Sequence, residues 1–121
     1  MKKIKTFDDA CKALKIKPGT LPDVSAMPEK YRKAMIANYK LMIITEALNK
    51  GWEPDWTNSA ETKYYPWFFN YKPGVGFSDS GYDGWCAFTR CGSRLCFKSS
   101  ELATYAGTQF IEIYNQIFII K

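Results

Sequence analysis

Residues 28–52, PEKYRKAMIANYKLMIITEALNKGW, form the longest uninterrupted helical signal in the chain and its most apolar one. At about 100° per residue, Met35, Tyr39 and Met42 fall on one side with Ile36, Ile43 and Ala47 adjoining, while Ala34, Leu41 and Leu48 lie on nearly the opposite side. Only narrow polar strips remain, one carrying Lys33 and Lys40 and the other Asn38 and Thr45. A helix apolar on two faces needs cover on both, which predicts a long central helix sandwiched by other elements. Pro28 stands near its first helical position, and Gly51 where a left-handed cap is wanted, with Trp52 placed to fold back onto the last turn.

On the N-terminal side, Thr6 followed by Asp8 and Asp9 predicts a capped short helix to about Lys15, stopped by Lys17-Pro18-Gly19. On the C-terminal side, the turn WEPDW (52–56) leads through a polar loop to KYYPWFFNYK (63–72). That segment is rich in strand-favouring aromatics, but Pro66 argues for an edge position or a break. The Gly- and Pro-rich tract 73–84 reads as a loop. Residues 85–89 and 93–97 read as two short strands joined at Arg90-Cys91-Gly92. Ser99 or Ser100 then caps a helix over 101–117 with the stripe Leu102, Ala106, Phe110, Ile113 and Ile117. The expectation is one α+β domain over 1–121, in the order α-α-β-β-β-α, with a small three-stranded antiparallel sheet packed with three helices.

Charge and composition narrow the function. The chain has 121 residues and a net charge of +5, distributed as +6 over residues 1–50 and −1 over 51–121. A positive field over the N-terminal part favours anionic partners, although a solvated lysine-rich face has the same composition. There is no histidine, which excludes histidine-dependent hydrolase dyads and triads and most zinc sites. No metal and no cofactor are expected. Cys11, Cys86, Cys91 and Cys96 match no common zinc spacing and read as reduced, structural thiols, though a Cys86–Cys96 bridge across a hairpin is geometrically allowed. With no signal-peptide pattern and no apolar run long enough for a membrane span, the expected location is cytoplasmic, with no membrane partner.

Aromatics make up 17% of the chain and crowd between Trp52 and Trp85. Interleaved with Lys63, Lys72, Arg90 and Arg94, they suit stacking on bases while cations meet phosphate. By strand alternation Tyr65, Trp67 and Phe69 share one face, and Tyr64, Phe68 and Asn70 the other. A sheet covered by helices on one side leaves one aromatic row as a ligand or protein surface. Tyr65, Trp67, Lys72, Arg90 and Arg94 are the candidate contacts. The carboxylates Glu46, Glu53 and Asp55 are the candidates for acid/base chemistry, read in the first instance as surface and turn-capping groups.

The strings TFDDACKAL, LPDVS with PEKYRKA, ALNKGWEPDW, KYYPWF and GSRLCFKSSELATYAGTQF together resemble a family of small uncharacterised proteins from bacteriophages and prophage-like elements of Bacteroidetes-type bacteria. The resemblance spans most of the chain except 74–91, and it implies a phage or mobile-element origin acting in the bacterial host. The expected function is a non-enzymatic accessory protein binding a nucleotide or nucleic acid. The alternative is a protein-interaction module directed at a host or phage protein, such as an inhibitor of a bacterial defence complex or a homo-oligomeric assembly component.

Overall fold

The structure, a computed structural model, describes residues 4–55, 57–58, 60–69, 79–85 and 93–118. Within these the order is α1 (Phe7–Ala13), α2 (Glu29–Asn49), β1 (Lys63–Phe69), β2 (Asp79–Trp85), a 3-10 turn (Ser93–Leu95), α3 (Ser100–Gln109) and α4 (Ile111–Phe118). None of the described helices is long and apolar enough to cross a membrane.

The helix starts follow local chemistry. The Thr6 hydroxyl accepts from the Asp9 N–H at 3.1 Å, and the Asp9 carboxylate accepts from the N–H groups of Thr6 and Lys5, a reciprocal capping box. Ser99 caps α3 by accepting from the Leu102 N–H. α2 begins after Pro28 with no side-chain cap. Instead Arg32 reaches back and donates to the carbonyls of Met27 at 2.9 Å and Ser25 at 3.0 Å. α2 ends on two consecutive left-handed residues, Lys50 (φ +50) and Gly51 (φ +88). The tight turn lets the Trp52 N–H reach the Asn49 carbonyl at 3.1 Å and swings Trp52 beside the helix end.

The core is built on one face of α2. Leu41, Ile44 and Leu48 are buried with Ala10 of α1, Leu102, Ala103 and Ala106 of α3, Phe110, Tyr114, and the segment residues Leu95 and Phe97. α2 packs against α1 and α4, and α3 lies across β1 and β2. Full burial of each large aliphatic side chain here contributes about 1.5–3 kcal/mol. The Leu41–Leu48 side of the predicted central helix is therefore its core side. The Met35–Tyr39–Met42 side is only partly covered, and Met35 remains 43% exposed.

The predicted α+β arrangement of a three-stranded sheet with three helices is corrected to a mostly helical fold. Four α-helices are present among the described residues, and the β-structure is a single two-stranded antiparallel pairing of β1 with β2, Lys63 opposite Trp85 and Phe69 opposite Asp79. Residues 79–84, read as loop, lie in β2. Of the predicted strand 85–89, only Trp85 is among the described residues. The predicted strand 93–97 is instead a 3-10 turn followed by one isolated bridge, in which Tyr64 and Phe97 exchange backbone hydrogen bonds of 3.0 and 2.6 Å. Two causes are visible. The next hydrogen-bonded pair of that ladder would be Pro66 with Leu95, and Pro66 has no N–H to give. Leu95, Cys96 and Phe97 are also buried in succession, which a strand with one solvent face does not allow.

The predicted helix 101–117 is two helices. The chain leaves helical geometry at Phe110 (φ −112, ψ 26), shortly after Gly107, a weak helix former. The break turns the Phe110 ring into the core at 4% exposure.

Candidate functional site

The incompletely covered side of α2 is one wall of a cavity of about 520 Å³. Tyr39, Met42, Ile43, Thr45, Glu46 and Asn49 line it from α2; Leu14 closes it beyond α1; Trp52, Glu53 and Pro54 form a second wall; Arg94 and Cys96 form a third. The helical period explains the membership, because residues 39, 42, 43, 46 and 49 project into the half of α2 away from Leu41 and Leu48. α1 is held to this side by the Phe7 ring, which meets Tyr39 edge-on at 6.4 Å and carries the Lys40 ammonium 5.4 Å from its centroid.

The third wall is positioned by Asn49. Its amide nitrogen donates to the Cys96 carbonyl at 3.0 Å and its amide oxygen accepts from the Lys98 N–H at 3.2 Å. This pair of bonds, together with the Tyr64–Phe97 bridge, clamps the segment that carries Arg94 against the end of α2. Asn49 is 3% exposed, so removing its amide would take away two hydrogen bonds, each worth about 0.5–1.5 kcal/mol.

The second wall is held by a buried ammonium. Lys63 is 0% exposed, and its Nζ donates to the carbonyls of Asp55 at 2.7 Å and Asn58 at 3.0 Å while pairing with Glu61 at 3.4 Å. Glu61 also accepts from the Asp55 N–H at 2.8 Å. Hydrogen bonds from the Thr57 hydroxyl and N–H hold the exposed Asp55 carboxyl below its usual range. Asp55 is thus a turn-capping group, as its residue type suggested.

The electrostatics differ from a basic groove. Arg94 lines the same cavity as two acidic residues, Glu46 and Glu53. Among the described residues none of these three side chains has a hydrogen bond or an ion pair. The lysine excess lies elsewhere, on exposed Lys12, Lys15, Lys17, Lys30 and Lys33. Thr45 is 3% exposed and its hydroxyl oxygen, buried, has no partner among the described residues. A buried hydroxyl left in that state costs about 1–3 kcal/mol.

Of the candidate contacts, Arg94 is exposed and lines the cavity. Tyr65 does not belong to an open aromatic row: it is 5% exposed and packs with Cys96 and Trp52, behind the cavity wall. The reason is that the side of β1 carrying Tyr65 is covered by the turn after α2. Trp67 stands in β1 opposite Gly81, and its side chain is outside the described structure; Lys72 and Arg90 lie outside the described residues. Cys11 and Cys96 are buried free thiols, burial pushing the Cys11 thiol up, while Cys86 and Cys91 lie outside the described residues. No group of three metal-ligating side chains occurs among the described residues. Asn49 and Thr45 were missed as site residues. Their signal was a polar strip on an otherwise apolar helix, spaced so that both fall beside the cavity-facing stripe. Comparisons with family models, with curated proteins and with solved structures give no match to the chain, so the phage-family resemblance stands on its sequence strings alone.

Proposed function

We propose that the chain is a non-catalytic accessory protein of a phage or mobile element, acting in the cytoplasm of its bacterial host, that binds a nucleotide or the terminal nucleotide of a nucleic acid in the cavity beside α2. One observation carries the reading: Arg94, Glu46 and Glu53 share a cavity with the rings of Trp52 and Tyr39 and are not neutralised by one another. A nucleotide supplies a complement to each, with phosphate for the guanidinium, a flat ring for the aromatic walls and N–H donors for the carboxylates. The volume falls within the range of about 300–1,000 Å³ usual for small-molecule sites. The lack of histidine supports binding without turnover.

Isothermal titration calorimetry of mononucleotides against the protein and its Arg94→Gln variant tests this. The expected result is saturable binding, weakened about tenfold or more by the substitution and weakened by added salt. No heat with any mononucleotide would overturn the nucleotide reading, and conversion of bound nucleotide to product would overturn the non-catalytic one.

A second reading, docking of a host or phage protein, is favoured by Tyr31 and Met35, which are 50% and 43% exposed one turn apart on α2.

A further inference from the structure

The second wall of the cavity is fastened differently at its two ends. At the α2 end the chain turns through Lys50 (φ +50) and Gly51 (φ +88), and the Trp52 N–H holds the Asn49 carbonyl at 3.1 Å. At the far end both backbone groups of Asp55 lead to one ammonium. The Asp55 carbonyl accepts from Lys63 Nζ at 2.7 Å. The Asp55 N–H donates at 2.8 Å to Glu61 Oε1, which stands 3.4 Å from the same Nζ. Lys63 is fully buried and belongs to β1, so it ties the end of the wall to the sheet. Between the two ends, Glu53 and Pro54 make no hydrogen bond among the described residues.

What this wall covers is small. Trp52 packs on Tyr65 and Cys96, a group apart from the core around Leu41, Ile44 and Leu48. Lifting it uncovers little apolar surface, so local opening costs far less than unfolding the core. Releasing Asp55, on the other hand, takes an acceptor from a buried ammonium, which favours the closed state.

We infer that residues 52–55 are a lid on the cavity, hinged at Lys50–Gly51 and latched by Lys63, whose opening gives access to Cys96. Two left-handed residues at the end of a long helix are where a hinge that absorbs a backbone rotation belongs. The inference goes beyond the nucleotide reading and does not depend on it: the latch sets how often the cavity opens, whatever small molecule it takes. Cys96 is the reporter, because it lines the cavity and is 1% exposed while the lid is closed.

The experiment is alkylation of the native protein by N-ethylmaleimide, followed cysteine by cysteine through peptide mass spectrometry, in the parent, Lys63→Met and Gly51→Ala. Lys63→Met keeps most of the buried stem and removes the ammonium. A methyl added at Gly51 would meet no atom within 4 Å, so alanine there strains only the left-handed backbone of the hinge. Cys11, 0% exposed in α1, is the internal control for loss of the fold. Lys63→Met should raise the Cys96 rate about tenfold or more, and Gly51→Ala should raise it severalfold, with the Cys11 rate unchanged in both. Thermal melting checks that each variant folds. A folded variant whose Cys96 rate is unmoved, or whose Cys96 and Cys11 rates rise together, overturns the lid and leaves the nucleotide reading to its own calorimetric test.

Discussion

The two parts of α2 differ in charge and in surroundings: Glu29, Lys30, Arg32 and Lys33 crowd residues 29–36, while residues 37–49 carry only Lys40 and Glu46. Residues 37–49 contain every buried residue of the helix, namely Ala37, Leu41, Ile44, Thr45, Ala47, Leu48 and Asn49. Residues 29–36 contain none, and they display Tyr31 and Met35 beside Lys30, whose ammonium lies 5.0 Å from the Tyr31 ring. The second half is helical because α1, α3 and α4 bury it. The first half is helical because Arg32 ties it to the preceding connector and because it extends a helix already nucleated. The charged part stays in solvent and the apolar part is covered, yet Tyr31 and Met35 show that single apolar residues on the charged part stay exposed with it.

The sharpest way to break the comparison is to truncate one side chain in each half. Leu41→Ala should cost about 2–5 kcal/mol in urea unfolding, whereas Met35→Ala should stay within about 0.5 kcal/mol. Equal losses would mean that the exposed half is packed against something. A middle effect is expected at the helix start. Arg32→Ala removes two hydrogen bonds worth about 0.5–1.5 kcal/mol each at most. It should speed amide exchange at Tyr31, whose N–H bonds to the Pro28 carbonyl at 3.0 Å, without moving exchange at Leu48. Unchanged exchange at Tyr31 would show that the tether does not hold the first turn.

The smallest effect belongs to the contrast between the uncapped start of α2 and the boxed start of α1. Backbone hydrogen bonding, chiefly from the Lys5 N–H, holds the Asp9 carboxyl below its usual value of 3.8. A carboxyl lowered on folding stabilises above its unfolded pKa and loses that contribution as pH falls through the folded one. The melting temperature of the parent should exceed that of Asp9→Asn near neutrality, and the gap should close below about pH 3.8. A gap that widens in acid would contradict the capping box.

What could be read from the residues was what neighbouring residues decide. Thr6 with Asp9, Ser99 with Leu102, and the span of α2 all depend on contacts within a few positions. The aromatic strand β1 was legible for the same reason. The failures came from distant partners. The Gly-rich run Asp79–Trp85 is a strand because β1 pairs with it, and residues 93–97 are not one because Pro66 ends the ladder. At the site, Arg94 and the two glutamates were visible as residue types. Their meeting was not, since it depends on Asn49 holding the Cys96 carbonyl from 47 positions away. Tyr65 was misread because an aromatic strand looks the same from either side until the turn carrying Trp52 closes over it.

Lys63 turns the cavity's second wall into something that can be timed. Amine-acylating reagents react with Lys12, Lys30 and Lys33 at the rate set by solvent exposure. Lys63 can react only after its ammonium leaves the oxygens of Asp55, Asn58 and Glu61 and sheds a proton. Its labelling rate therefore counts openings of the turn that follows Trp52, Glu53 and Pro54. In a mass spectrum, one lysine becomes the clock for how often the cavity's rim gives way.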